Sequence, residues 1–84
     1  MTVVTFRTKT EVFEFLQESR FYNLQSKIVS MPAEIKIGCG YAVEISQFAY
    51  AKAYNIVKRG DYPTFNGIFN IKKQAERTKI ERLV

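Results

Sequence analysis

The chain has 84 residues, 46% of them hydrophobic and 25% charged, with seven Phe, five Tyr and a net charge of +5. That length predicts one small domain without a second core, and the apolar content is that of a chain that folds rather than of a disordered one. A single cysteine and no histidine exclude an internal disulfide, an ordinary zinc site within one chain, and the Cys-His and Ser-His hydrolase mechanisms.

Val3, Val4 and Phe6 make a short β-branched and aromatic run that the polar stretch from Arg7 to Thr10 breaks, which predicts a first strand. Thr8 and Glu11 stand three apart just ahead of an apolar pattern. That is the spacing of a reciprocal capping box, so a helix is expected to begin near Thr8. Val12, Phe13, Phe15 and Leu16 then recur at helical spacing, with Glu11, Glu14, Gln17 and Glu18 opposite them, giving this helix one buried side. A second strand is expected over residues 24–31, ended by Pro32, which has no amide hydrogen to give to a ladder. Residues 33–39 read as a loop and residues 41–45 as a third strand. Ser46 is a candidate N-cap for a second helix that places Ala49, Ala53, Ile56 and Val57 on one face. Lys58 and Arg59 complement the negative end of that helix, and Gly60 is expected to be its left-handed stop. After a turn at Asp61, Tyr62 and Pro63, a fourth strand is expected over residues 65–71, with Gly67 as a candidate bulge.

The order β-α-β-β-α-β predicts an α+β domain over residues 1–71. Its expected architecture is ferredoxin-like, a four-stranded antiparallel sheet with both helices on one face. Residues 72–84 are a basic C-terminal tail, expected to be helical, with five Lys/Arg against two Glu. It reads as the solvated face of a charge-laced helix, with Lys72, Lys73, Arg77 and Arg82 as the candidates for an electrostatic contact with an acidic partner or nucleic acid. The first 71 residues carry a mixed surface, so nucleic-acid binding is not expected. No apolar run approaches the roughly 18 residues of a membrane span, and the first seven residues lack the order of a signal peptide. The expected location is therefore cytoplasmic, without membrane contact.

Cys39 is the one residue with evident reactive chemistry. It stands between Gly38 and Gly40, where a loop enters a strand, so an accessible thiol is expected. Lys36, or amides freed by the glycines, would favour the thiolate, which is the nucleophilic form. The competing reading makes Cys39 a small apolar plug in a tight turn, and the residues by themselves favour the plug.

Phe6, the helix from Glu11 to Leu16, the segment Met31-Pro32-Ala33-Glu34-Ile35 and the segment Gly38-Cys39-Gly40-Tyr41-Ala42 stand in an order that resembles the bacterial selenium/sulfur carrier-like family. The resemblance covers nearly all of residues 2–71, and its sharpest element is the stretch from Pro32 to Cys39 and Gly40. It implies a small ferredoxin-like protein whose Cys39 carries sulfur or selenium, as a persulfide or selenosulfide, for another protein. Gly38, Gly40, Lys36, Tyr41 and Pro32 are the candidate binding residues beside Cys39. The chain departs from the family pattern at Ala33, where a basic residue is common, and at Lys36-Ile37, where small hydroxyl residues are. The partner would be the donor or acceptor enzyme, and no cofactor or metal is implied. Catalysis in its own right is not expected, because no acid/base pair or phosphate loop accompanies Cys39.

Two other readings stand beside the carrier. In one the chain is an interaction or regulatory module that self-associates as a homodimer through its sheet, with Tyr41, Tyr50, Tyr54 and Tyr62 supplying exposed surface. In the other it is a weak RNA binder, since residues 38–43 partly imitate the glycine-aromatic core of an RNA-recognition motif, with Tyr41 as the one stacking residue.

Overall fold

The β-branched run at the N-terminus forms β1 (Thr2–Phe6), and all five of its residues are buried because a strand flanks it on either side. The remaining elements are α1 (Lys9–Phe21), β2 (Lys27–Ser30), β3 (Tyr41–Ile45), a 3-10 turn (Gln47–Ala49), α2 (Tyr50–Arg59), β4 (Phe65–Gln74) and β5 (Arg77–Arg82). These are features of a computed structural model that describes residues 1–35 and 39–84. The strands form one antiparallel sheet in the order β2-β3-β1-β4-β5.

The fold is α+β, but the expected four-stranded sheet with a helical tail is overturned. β4 runs on past Ile71 to Gln74, turns through Ala75 and Glu76, and returns as β5, a fifth strand. Lys, Gln, Ala, Glu and Arg favour helix locally, which is why residues 72–84 read as one. Pairing with β4 overrides that preference. Ile80 lies opposite Ile71 and Thr78 opposite Lys73, so the alternation of these residues with Arg77, Lys79 and Glu81 has period two. Ala75 takes φ +46° in the two-residue turn, the left-handed region that primed hairpin turns use.

The sheet has apolar residues on both faces. On one, Val4, Phe6, Val43, Ile45 and Ile68 join Val12, Phe15 and Leu16 of α1 and Ala53, Ile56 and Val57 of α2 in the main core. On the other, Val3, Ile35, Ala42 and Ile71 form a smaller cluster, flanked by Val29, Met31, Phe69 and Ile80. Arg82 closes part of that second face, with its guanidinium carbon 5.4 Å from the centroid of the Phe69 ring.

Several local expectations are corrected by long-range contacts. Thr8 is the N-cap of α1, but its side chain makes no capping bond. Thr8 Oγ1 lies 3.2 Å from Thr64 Oγ1, and the Glu11 carboxylate accepts from the Thr64 amide at 3.0 Å. Glu11 is therefore buried, whereas Phe13, expected inside, is 43% exposed. The second strand covers only Lys27–Ser30, and Leu24 packs into the main core ahead of it. Ser46 caps the 3-10 turn, accepting from the Phe48 amide, and α2 follows. Gly60 ends α2 in an extended conformation rather than a left-handed one. Its need for glycine is a close approach, since a Cβ there would meet the Tyr62 ring at 2.5 Å. Gly67 has φ +139° beside the register shift between Thr5 and Phe6, as a bulge requires.

Tyr62 braces the helix side of the sheet. Its ring lies 5.3 Å from Phe6 and 5.8 Å from Phe15, and its hydroxyl donates to Glu18 Oε1 at 2.5 Å. Burial, the bond to Glu18 and the negative charges of Glu18, Glu14 and Glu11 all hold the phenol proton far more firmly than in a free tyrosine. The folded chain keeps this proton where the unfolded chain loses it. Its stabilisation is thus whole below about pH 10 and is lost as the pH rises above that. Tyr62→Phe should cost about 1 kcal/mol at neutral pH by removing a partly exposed bond to a charged acceptor. It should also flatten the alkaline decline in stability, followed by urea melts between pH 8 and about pH 11. An unchanged alkaline slope would place the decline in other groups.

Candidate functional site

Cys39 lies at the mouth of β3, one residue beyond the point where the β2-β3 ladder closes with the Met31 amide donating to the Gly40 carbonyl at 2.9 Å. Pro32 ends β2 as expected and opens a turn, its carbonyl accepting from the Ile35 amide at 3.0 Å. Pro32 is half-buried, and Ala33 and Glu34 are exposed. Ile35 belongs to the smaller cluster on one face of the sheet and Cys39 to the main core on the other. Lys36 and Gly38, two of the expected site residues, lie outside the described residues.

The thiol is a free one but not an open one. Cys39 is 7% exposed and is part of the main core, so the expected accessible cysteine is corrected to a covered one. The physical reason is strand parity. Cys39 stands two residues before Tyr41 and four before Val43, and these odd positions point toward the helices. Flanking glycines leave a thiol without near neighbours in sequence, but they do not remove the helix layer above it. Gly40 is exposed, and a Cβ built on it would meet nothing within 4 Å, so the space beside the thiol's own backbone is open.

Tyr41 stands over this junction, 39% exposed, with its ring centroid 6.4 Å from that of Phe13 and the Lys9 ammonium 5.2 Å from its own. Phe13 and Lys9 were not expected at the site. Their sequence signal was present only in retrospect: Lys9 starts α1, and Phe13 lies one turn further on, at i and i+4. Tyr41 therefore presents its ring on the helix side. Phe69, the aromatic residue among the smaller cluster's neighbours, lies beneath Arg82. Among the described residues no group of three or more His, Cys, Asp or Glu is placed to hold a metal ion. No described helix is long and apolar enough to cross a membrane.

Fold and site together define a small α+β domain with one covered thiol where a loop enters the sheet. A family model described as "Putative Se/S carrier protein-like" matches residues 1–66, and the chain belongs to that family. The match contains β1 to α2, the start of β4, and Cys39. No curated protein and no solved structure matches the chain.

Proposed function

We propose that this protein is a cytoplasmic carrier that holds sulfur or selenium on Cys39 and passes it to a partner enzyme. The observation that supports the reading is that the chain's one cysteine falls inside the region matched by the carrier family. In the loading step the Cys39 thiolate attacks the terminal sulfur of a donor persulfide. A new S–S bond forms at Cys39, the donor's S–S bond breaks, and the donor leaves as a thiolate, so the exchange is redox-neutral. Delivery is the same displacement in reverse, with Cys39 as the leaving thiolate. Because the thiol is covered, both steps require the segment around Gly40 to open, and the open space at Gly40 leaves room for that movement. Tyr41, Phe13 and Lys9 would form the rim that a partner meets.

Loading is read by intact mass after incubating the folded protein with a small-molecule persulfide. The expected product carries one added sulfur, absent from Cys39→Ser. A folded protein that gains nothing while the urea-unfolded chain gains one sulfur would mean that Cys39 is a packing residue.

The second reading, self-association through the sheet, is favoured by the half-buried Val29, Met31, Phe69 and Ile80 on the face away from the helices. Its measurement is the solution mass by light scattering. A dimer that Ile80→Lys dissociates supports it, and a monomer at about 100 μM, weaker than the usual range of specific interfaces, removes it.

A further inference from the structure

The turn of the chain from β4 into β5 builds a feature that the family match does not reach, since that match ends at residue 66. β1 pairs with β4 only as far as Thr2 opposite Asn70, with the Ile71 amide donating to the Met1 carbonyl just beyond. From Lys72 onward β4 pairs with β5 alone, so residues 72–79 leave the sheet as a two-stranded ribbon. Every residue of that ribbon except the half-buried Thr78 is exposed. The ribbon carries Lys72, Lys73, Arg77 and Lys79 against the single acid Glu76.

The placement of these cations is unusual for a surface that serves only solubility. Lys72 and Lys79 are direct cross-strand partners, a like-charge pair that costs stability with no anion between them. Arg77, opposite Gln74, shares their face, whereas Lys73 points to the other face beside Thr78. None of the four lies within an ion pair among the described residues, where Lys27 pairs with Glu44. Arg82 is not free to join them, because its guanidinium donates to the Asn66 and Val84 carbonyls and covers Phe69.

We propose that this ribbon is an arm that enters the major groove of duplex DNA and neutralises phosphates on both sides of it, without reading sequence. A B-form major groove, about 12 Å wide, admits a two-stranded ribbon, and cations on both faces meet both walls. An acidic protein is the poorer fit: beyond Ile71 and Ile80 the ribbon has no apolar or aromatic anchor, and a protein interface needs one at its centre. A single strand is poorer too, since no aromatic side chain is present to stack on bases, and the major groove of an RNA duplex is too deep and narrow. The ribbon leaves the sheet at the Thr2 end, whereas Cys39 lies beyond the Phe6 end. The arm is thus independent of the thiol reading.

The test is fluorescence anisotropy of a labelled 20-base-pair DNA duplex with the full chain, between about 50 and 200 mM salt. Four phosphate contacts predict a dissociation constant in the range of about 1–100 μM and a log-log salt slope of about −3.6. Lys72→Gln/Lys79→Gln should weaken binding about tenfold and halve the slope, while circular dichroism melting shows the fold retained. Lys52→Gln/Lys58→Gln removes the same charge from α2 and should leave the slope unchanged. The proposal is overturned by absence of binding at 50 mM salt, by equal losses in the two double variants, or by tighter binding to poly-glutamate or to the single strand than to the duplex.

Discussion

Phe6→Ala should lower the free energy of unfolding by about 3–5 kcal/mol, the cost of emptying a fully enclosed aromatic site. Phe6 has no exposed surface and sits against three rings, with centroids 5.4 Å away for Phe15, 5.3 Å for Tyr62 and 5.8 Å for Phe65. Those rings come from α1, from the turn after α2 and from β4. The substitution therefore loosens the central strand from three other parts of the chain at once. Rigid ring contacts of this kind collapse poorly around a void, which keeps the cavity cost near its upper range. Against a total stability of about 5–15 kcal/mol for a domain, the variant should show a much lower urea midpoint with an unchanged slope. A loss below about 1 kcal/mol would mean that the ring cluster is not closed in solution.

Cys39→Ser should abolish sulfur loading and also cost about 1–3 kcal/mol, because a hydroxyl in place of the covered thiol is buried without an assured partner. A thiol standing open to solvent would have tolerated serine almost without cost, so the stability readout separates a covered cysteine from an exposed one. Alkylation of the native protein should likewise be slower than that of the unfolded chain, by roughly tenfold or more. The rate in the Phe6→Ala background then distinguishes the two roles of Cys39. Local opening, as the carrier reading requires, leaves the rate near that of the parent protein. Exposure only through global unfolding raises it in proportion to the stability lost.

The strands and helices of the first 71 residues were legible because their signals are local: a β-branched run at Val3 and Val4, a helical stripe at Val12, Phe15 and Leu16, a proline stop at Pro32. Thr8 and Glu11 illustrate the limit. Their spacing marked the start of α1 correctly, yet both side chains turn to Thr64, more than fifty residues away in the chain. Phe13 obeyed the helical stripe but lies on the exposed edge, where Tyr41 meets it. Gly60 and Gly67 look alike in sequence. One avoids the Tyr62 ring and the other takes a positive φ beside a bulge, a difference set by what surrounds each.

At the candidate site the sequence singled out Cys39 and its strand-entry position, and the family match covers it. Its burial was legible only as the apolar plug that the residues by themselves favoured, against the accessible thiol expected of a carrier, because two flanking glycines say nothing about the helices that pass over the sheet. Composition, element order to residue 71, the single thiol and the family were determined by residues close to one another in the chain. The covered state of Cys39, the Tyr62 brace and the conversion of a helix-favouring tail into β5 were decided by tertiary structure alone. The physical reason is the same in each case: burial and strand pairing are contacts between distant residues, and their free energies exceed the few tenths of a kcal/mol by which local propensities differ.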